Sequence, residues 1–208
     1  MELYEMRENY APESLTKESI HENPFAQFGI WFHEAIAKEV EPNAMVLSTV
    51  GADMSPSSRV VLLKKFSPDG FVFFTNYQSK KGVQLSENPR TALLFFWPIS
   101  IRQVRIEGLV EKLPSVESDE YFNSRPLESR ATALLSRQSF PLESRKKFEA
   151  DIVRLCERGS EIKRPEHWGG YFLWPHLFEF WQGRANRAHD RFQYSLSEKG
   201  WEIRCLYP

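Results

Sequence analysis

Short apolar runs separated by turn residues fill both ends of this chain, and one helical block divides them. That arrangement limits the possible folds more than any other feature. Met45 to Val50, Arg59 to Phe66, Phe71 to Thr75, Thr91 to Trp97 and Ile101 to Leu113 read as strands spaced as in an antiparallel meander. Gly51 to Pro56 and Ser67-Pro68-Asp69-Gly70 supply turns between them. Residues 115 to 158 read as helical, with Pro126 and Pro141 each placed where a helix could begin. Strands return at Tyr171 to Trp174, Leu177 to Gln182, Arg191 to Leu196 and Trp201 to Leu206. The last two form a hairpin through Ser197 to Gly200. A doubly wound parallel sheet would alternate strands with helices, so grouped strands argue against it. The expected architecture is mainly β, an antiparallel barrel closed or nearly closed, with inserted and flanking helices.

Residues 1 to 20 read as an N-terminal arm, and 21 to 208 as a single domain that includes the helical insertion. Asn23-Pro24 marks a helix start. Phe25, Phe28, Phe32, Ala35, Ile36 and Val40 follow at helical spacing, and Glu41-Pro42-Asn43 ends the run. Ser79 to Leu85 reads as a short helix, and Gly108 as the mark of a bulge in its strand.

With 27 basic and 28 acidic residues the net charge is −1, so no basic excess points to nucleic acid. Aromatic residues make up 14% and read mainly as core, with ring-holding surfaces as the other option. Cys156 and Cys205 show no CxxC or metal-ligand spacing, which favours a reducing compartment. The first residues lack an apolar secretory core, and no run of about 18 apolar residues occurs. A cytoplasmic protein is expected. His21, His33, His167 and His176 form no zinc motif and read as structural or surface residues, and no metal is expected. GxSxG, GxGxxG and GxxxxGK[ST] are all missing, so a hydrolase is disfavoured and any ligand phosphate must be held by side chains.

Several segments carry charge suited to that task. In RVVLLK, Arg59 and Lys64 have opposite parity and point to opposite faces of a regular strand. In FFTNYQSKKG, Thr75, Ser79, Lys80 and Lys81 surround a helix start, where free N–H groups attract anions. In YFNSRPLES, Tyr121, Arg125 and Ser129 recur every four residues and would share one helix face if the helix ran through Pro126. Ser139 in SRQSF could cap a helix or, with Gln138, meet a ligand. Gln103 could bond a ring edge. Each also reads as an ordinary solvated group. WQGRANRAHDRF packs Trp181, Arg184, Arg187, His189, Asp190 and Arg191 together, a density that a solvated loop rarely needs; Asp190 could pair a neighbouring Arg.

These motifs occur in an order that resembles the pyridoxine (pyridoxamine) 5′-phosphate oxidases, over nearly the whole chain from Arg7 to Pro208. The most diagnostic pair is RVVLLK with NRAHDRF. The resemblance implies an FMN-binding split β-barrel, working as a homodimer with FMN sites shared at the subunit interface. It implies oxidation of pyridoxine 5′-phosphate and pyridoxamine 5′-phosphate to pyridoxal 5′-phosphate, with O2 as acceptor and H2O2 as product. It implies an FMN site of Arg59, Val60, Val61, Leu62, Leu63, Lys64, Phe74, Thr75, Lys80, Lys81, Gln103, Gln138, Ser139, Trp181 and Arg191. Lys64, Tyr121, Arg125 and Ser129 would hold the substrate phosphate. Arg187 and His189 would meet the pyridine ring as catalytic residues, and Arg7 and Tyr10 would belong to an arm that covers the site. Lys80-Lys81 stands where many members have Arg-Lys. Two other readings remain: a different flavin-dependent split-barrel oxidoreductase, and a non-catalytic FMN or pyridoxal-phosphate binder.

Overall fold

The computed structural model describes residues 14–157 and 161–208. Helix α1, Pro24–Lys38, begins as its sequence requires: Asn23 Oδ1 accepts from the backbone N–H groups of Phe25 and Ala26, and Pro24 opens the first turn. Phe28, Trp31 and Ala35 form its buried stripe. Strands β1 (Ala44–Val50), β2 (Pro56–Leu62), β3 (Lys65–Ser67) and β4 (Gly70–Asn76) follow. Helix α2 (Lys80–Glu87) separates them from β5 (Arg90–Trp97) and β6 (Arg102–Lys112). The helical block is α3 (Ser115–Ser124), α4 (Leu127–Leu135) and α5 (Arg145–Glu157). Strands β7 (Trp168–Gln182), β8 (Asp190–Ser197) and β9 (Gly200–Cys205) complete the order.

Among the described residues the strands make one antiparallel sheet in the order β2-β1-β5-β6-β7-β4-β3, with β8 and β9 added beside the second half of β7. The path begins at β2 and ends at β3, which are neighbours in the chain. The sheet therefore curls back on itself through Leu63 and Lys64, and the expected antiparallel split barrel is what forms. Aromatic rings fill it. Phe28, Phe71, Phe95, Phe178 and Phe180 are fully buried, and α1 lays Phe28 edge-on against Phe71 and Phe95 at centroid distances of 5.0 and 5.1 Å. Truncating such a ring costs about 3–5 kcal/mol.

Three expectations need correction. Arg59 to Phe66 is not one strand: β2 stops at Leu62, and β3 starts at Lys65 to pair with β4. The break cancels the parity argument for Arg59 and Lys64. Tyr171–Trp174 and Leu177–Gln182 are not two strands but parts of the 15-residue β7, which runs through Pro175. The register shift opposite Glu107/Gly108 absorbs an extra residue there, so the proline sits at a bulge, where its missing N–H is tolerated. Pro141 starts no helix; α5 begins at Arg145, with Ser144 Oγ accepting from Lys147 N.

A second apolar cluster lies outside the barrel, between β4, β7 and the helical block. Phe122, Ala131, Ala133, Ile162 and Trp168 form it, with Phe74 and Tyr121 packed against them. Because β4 carries the barrel core on one face and these helices on the other, Gly70 to Thr75 is apolar almost throughout.

Candidate active site

A cavity of about 1010 Å³ opens between β2, β4, α2 and the α3–α4 helices. That is the upper end of the roughly 300–1,000 Å³ range of small-molecule sites. Arg59, Lys64, Lys80, Lys81 and Arg125 line it, and among the described residues no Asp or Glu does. Val60, Val61, Leu62, Phe74, Thr75, Tyr121, Ser129, Gln138 and Ser139 also line it. The strand break at Leu63 is what brings Arg59 and Lys64 to the same cavity. Leu63 does not reach it: its side chain is buried in the barrel core.

Two of these cations, Arg59 and Lys81, are held in place by hydrogen bonds. Arg59 Nη1 donates to Thr49 Oγ1 at 2.6 Å and to the carbonyl oxygens of Leu47 and Ser57 at 3.1 Å. Lys81 Nζ donates to Gln138 Oε1 at 2.9 Å and Ser79 Oγ at 3.2 Å. Burial, with the Arg59 charge nearby, pulls the Lys81 ammonium down to about 8. Ser79 caps α2 by accepting from Gly82 N. Ser139 caps no helix of its own; at φ 76° its hydroxyl accepts from Lys80 N.

The cavity floor is a stack of flat rings. Phe74 lies 4.0 Å from Tyr121 and 5.5 Å from Trp168, all three nearly parallel. The Arg125 guanidinium sits 4.7 Å above the Trp168 ring. Pro126 ends α3 and separates it from α4, so Tyr121, Arg125 and Ser129 do not share one helix, yet all three reach the cavity. Burial lowers the Arg125 guanidinium from its usual value, and its Nη1 is buried with no hydrogen-bond partner. A buried, unpaired guanidinium N–H beside a cavity rich in cations is what an oxyanion ligand would satisfy.

The remaining predicted residues lie elsewhere in the protomer. Gln103, Trp181 and Arg191 stand abreast on β6, β7 and β8, as the register pairs Gln103 with Trp181 and Trp181 with Arg191. Arg191 is fixed by Glu179, with Nε and Nη2 at 2.9 and 2.8 Å from Oε1. Burial works to raise the Glu179 carboxyl, but hydrogen bonds from Arg105 and Arg191 outweigh it and hold the group below its usual value. After β7 a 3₁₀ turn, Ala185–Arg187, carries Asn186 and Arg187 at φ 55° and 61°. Two successive side-chain-bearing residues in the left-handed region is strained backbone, a frequent mark of functional loops. His189 packs on Trp181 at 4.7 Å, and its Nδ1 accepts from Arg184 N at 3.0 Å. Burial first, then Arg187 and Arg191, lower its pKa, which favours the neutral ring. Asp190 does pair a neighbouring arginine, Arg184 at 3.6 Å, and also accepts from Leu15 N at 2.9 Å. Arg7 and Tyr10 lie outside the described residues.

Residues 32–157 match the family model described as pyridoxamine 5′-phosphate oxidase. The chain belongs to this family. Residues 168–208 match the model of the pyridoxine 5′-phosphate oxidase C-terminal dimerisation region. Pyridoxine/pyridoxamine 5′-phosphate oxidase of Bordetella pertussis is 52% identical, with 100% of both chains covered. The crystal structure of PhzG from Burkholderia lata in complex with tetrahydrophenazine-1-carboxylic acid superposes with a TM-score of 0.89 at 29% identity, over 95% of this chain and 99% of that one. A pyridoxamine 5′-phosphate oxidase-related, FMN binding protein from Nostoc punctiforme shares the fold at a TM-score of 0.72 and 16% identity, over 94% and 100% of the two chains.

Within this pyridoxamine 5′-phosphate oxidase scaffold, Trp168, Asn76, Ser57 and Thr132 also line the cavity, and sequence reading gave none of them a role. Trp168 carried one usable signal, the two glycines after it. A Cβ on Gly169 would stand 2.2 Å from the Tyr77 hydroxyl, and one on Gly170 would stand 2.4 Å from Leu113 Cδ1. A side chain at either position would have to displace those groups.

Proposed function

We propose that this family member uses FMN to oxidise pyridoxine 5′-phosphate and pyridoxamine 5′-phosphate to pyridoxal 5′-phosphate, in vitamin B6 metabolism. One observation carries the reading: five cations and, among the described residues, no carboxylate around a cavity floored by parallel rings, in a chain of net charge −1. Such a cavity suits ligands that join a phosphate to a flat ring, and both FMN and the substrates are of that kind. PhzG was solved with a ligand bearing a carboxylate. Five cations exceed what one carboxylate needs, which favours the phosphate esters.

Arg59, Lys80 and Lys81 hold the FMN phosphate, with Thr75, Gln138 and Ser139 beside them and Val60 to Leu62 and Phe74 along the wall. Lys64, Tyr121, Arg125 and Ser129 hold the substrate phosphate. The partner subunit's Gln103, Trp181 and Arg191 complete the FMN site, and the partner subunit's Arg187 and His189 meet the substrate ring. Supporting this division, the same five residues lie outside the cavity of their own protomer, and four of them fall within the segment matched by a dimerisation model.

The chemistry FMN supplies when bound is hydride acceptance, with dioxygen as final acceptor and hydrogen peroxide as product. The protein's part is positioning: two anchored phosphates fix two rings face to face. With Nδ1 accepting from Arg184 N, the neutral His189 ring carries its proton on Nε2. Protonating Nδ1 would break the Arg184 bond, so His189 orients and does not serve as a strong acid. Arg187, on its strained turn, fixes the pyridine ring. No helix among the described residues is long and apolar enough to cross a membrane. With Cys156 and Cys205 both free thiols, we place the enzyme in the cytoplasm.

The test is direct. The purified protein with FMN and pyridoxine 5′-phosphate in air should produce pyridoxal 5′-phosphate and peroxide in equal amounts. A protein that binds FMN but yields neither would be a carrier, and the reading would fail.

A further inference from the structure

Behind Arg59 lies a residue that the roles above leave unused. Gln84, on α2, is 5% exposed. Its amide has only one workable orientation. The nitrogen, Nε2, lies 3.2 Å from the Ser55 carbonyl oxygen, which can only accept. Oε1 therefore faces the other way, 2.6 Å from both Thr49 Oγ1 and Ser57 Oγ. A carbonyl oxygen also only accepts, so both hydroxyl hydrogens are committed to Gln84. What Thr49 and Ser57 then present to Arg59 is lone pairs. Arg59 Nη1 donates to Thr49 Oγ1 at 2.6 Å, and Nη2 donates to Ser57 Oγ at 2.5 Å.

We propose that Gln84 is a positioning residue for the cofactor phosphate. By committing the hydroxyl hydrogens of Thr49 and Ser57, it locks the Arg59 guanidinium in the cavity wall. The proposal rests on the reading of Arg59 as a phosphate-binding residue. Without Oε1, either hydroxyl can turn its hydrogen toward the guanidinium, donor facing donor, and the lock is lost. Lys81 stands three residues before Gln84 on α2, so one short helix places both the second cation and the group that orients the first.

Riboflavin, which is FMN without its phosphate, separates this role from a structural one. The full chain, freed of flavin, is titrated with FMN and with riboflavin by flavin fluorescence. The Gln84→Met variant keeps the volume and removes the acceptor. It should weaken FMN about tenfold and change riboflavin less than about twofold. In an Arg59→Ala background the same change should have no further effect on FMN. Ser57→Ala, which removes one of the two hydroxyls, should give a smaller loss confined to FMN and serves if Gln84→Met folds poorly. Unaltered FMN affinity in both variants, an equal loss for both flavins, or an undiminished loss in the Arg59→Ala background would each overturn the role of Gln84. If Arg59→Ala itself leaves the preference for FMN over riboflavin intact, the phosphate reading of Arg59 fails first, and the proposal with it.

Discussion

Trp168 and Trp181 stand at opposite ends of β7, one in the floor of the cationic cavity and the other beside His189. A 15-residue strand has a contour of roughly 50 Å, and its two halves pair with different neighbours, β4 at one end and β8 at the other. On the proposed division of residues, one protomer offers the two halves of a site without joining them, and a two-fold dimer is the simplest way to bring them together.

Arg125 should govern substrate affinity. Its guanidinium rests on Trp168 and leaves a buried Nη1 for the ligand. Arg125→Ala should weaken substrate binding by about 2 kcal/mol, seen as a rise in KM of roughly 30-fold with a smaller change in kcat. An unchanged KM would remove Arg125 from the phosphate site.

Lys81 should make FMN binding pH-dependent. Its pKa near 8 in the free protein means that the ammonium begins to lose its proton in mildly alkaline solution. A bound phosphate favours the charged form, so binding takes up a proton once the pH exceeds 8. Affinity should then fall as pH rises, approaching tenfold per unit above about pH 8. Lys81→Arg should abolish the fall, as titration of FMN affinity from pH 7 to 9.5 would reveal.

Arg187→Ala should lower kcat by about tenfold or more while leaving FMN affinity unchanged, since the residue is assigned to the substrate ring. His189→Gln keeps an N–H donor and should retain more activity than His189→Ala. Equal losses in the two His189 variants would argue against a donor role.

Gly82 should be intolerant of a side chain. A Cβ there would stand 2.2 Å from the Tyr77 carbonyl oxygen, a backbone atom that cannot step aside. Gly82→Ala should push α2 and Lys81 away from the cavity, lowering the melting temperature by several degrees and weakening FMN, at a cost of about 1–3 kcal/mol. Thermal unfolding with and without FMN measures both.

Local signals carried the reading of the fold. Asn23-Pro24 capped the helix it announced, and Ser197 to Gly200 turned the hairpin, because caps and tight turns are decided within a few residues. The break at Leu63 and the continuity of β7 through Pro175 were not legible. A strand boundary set by closure of the barrel, and a proline absorbed by a bulge, both depend on partners distant in sequence. The cations at the cavity, with Tyr121 and Ser129, were singled out by motif, whereas Trp168, Asn76, Ser57 and Thr132 were not. Neither were Thr49 and Gln84, which stand behind Arg59, since a buried Thr or Gln carries no pattern of its own. The left-handed φ of Asn186 and Arg187 was equally silent, with no glycine to mark it.

The composite site is tested most directly by complementation. Arg125→Ala and Arg187→Ala chains, each impaired by about tenfold or more at substrate concentrations well below KM, are co-expressed under two different tags, and the mixed dimers are isolated and assayed under that condition. If the site joins the cavity of one protomer to the loop of the other, each mixed dimer contains one intact site. Activity should return to about half that of the wild-type dimer. If each site is built from a single protomer, every site in the mixture carries a lesion, and mixed dimers no more active than the two parents would contradict the account.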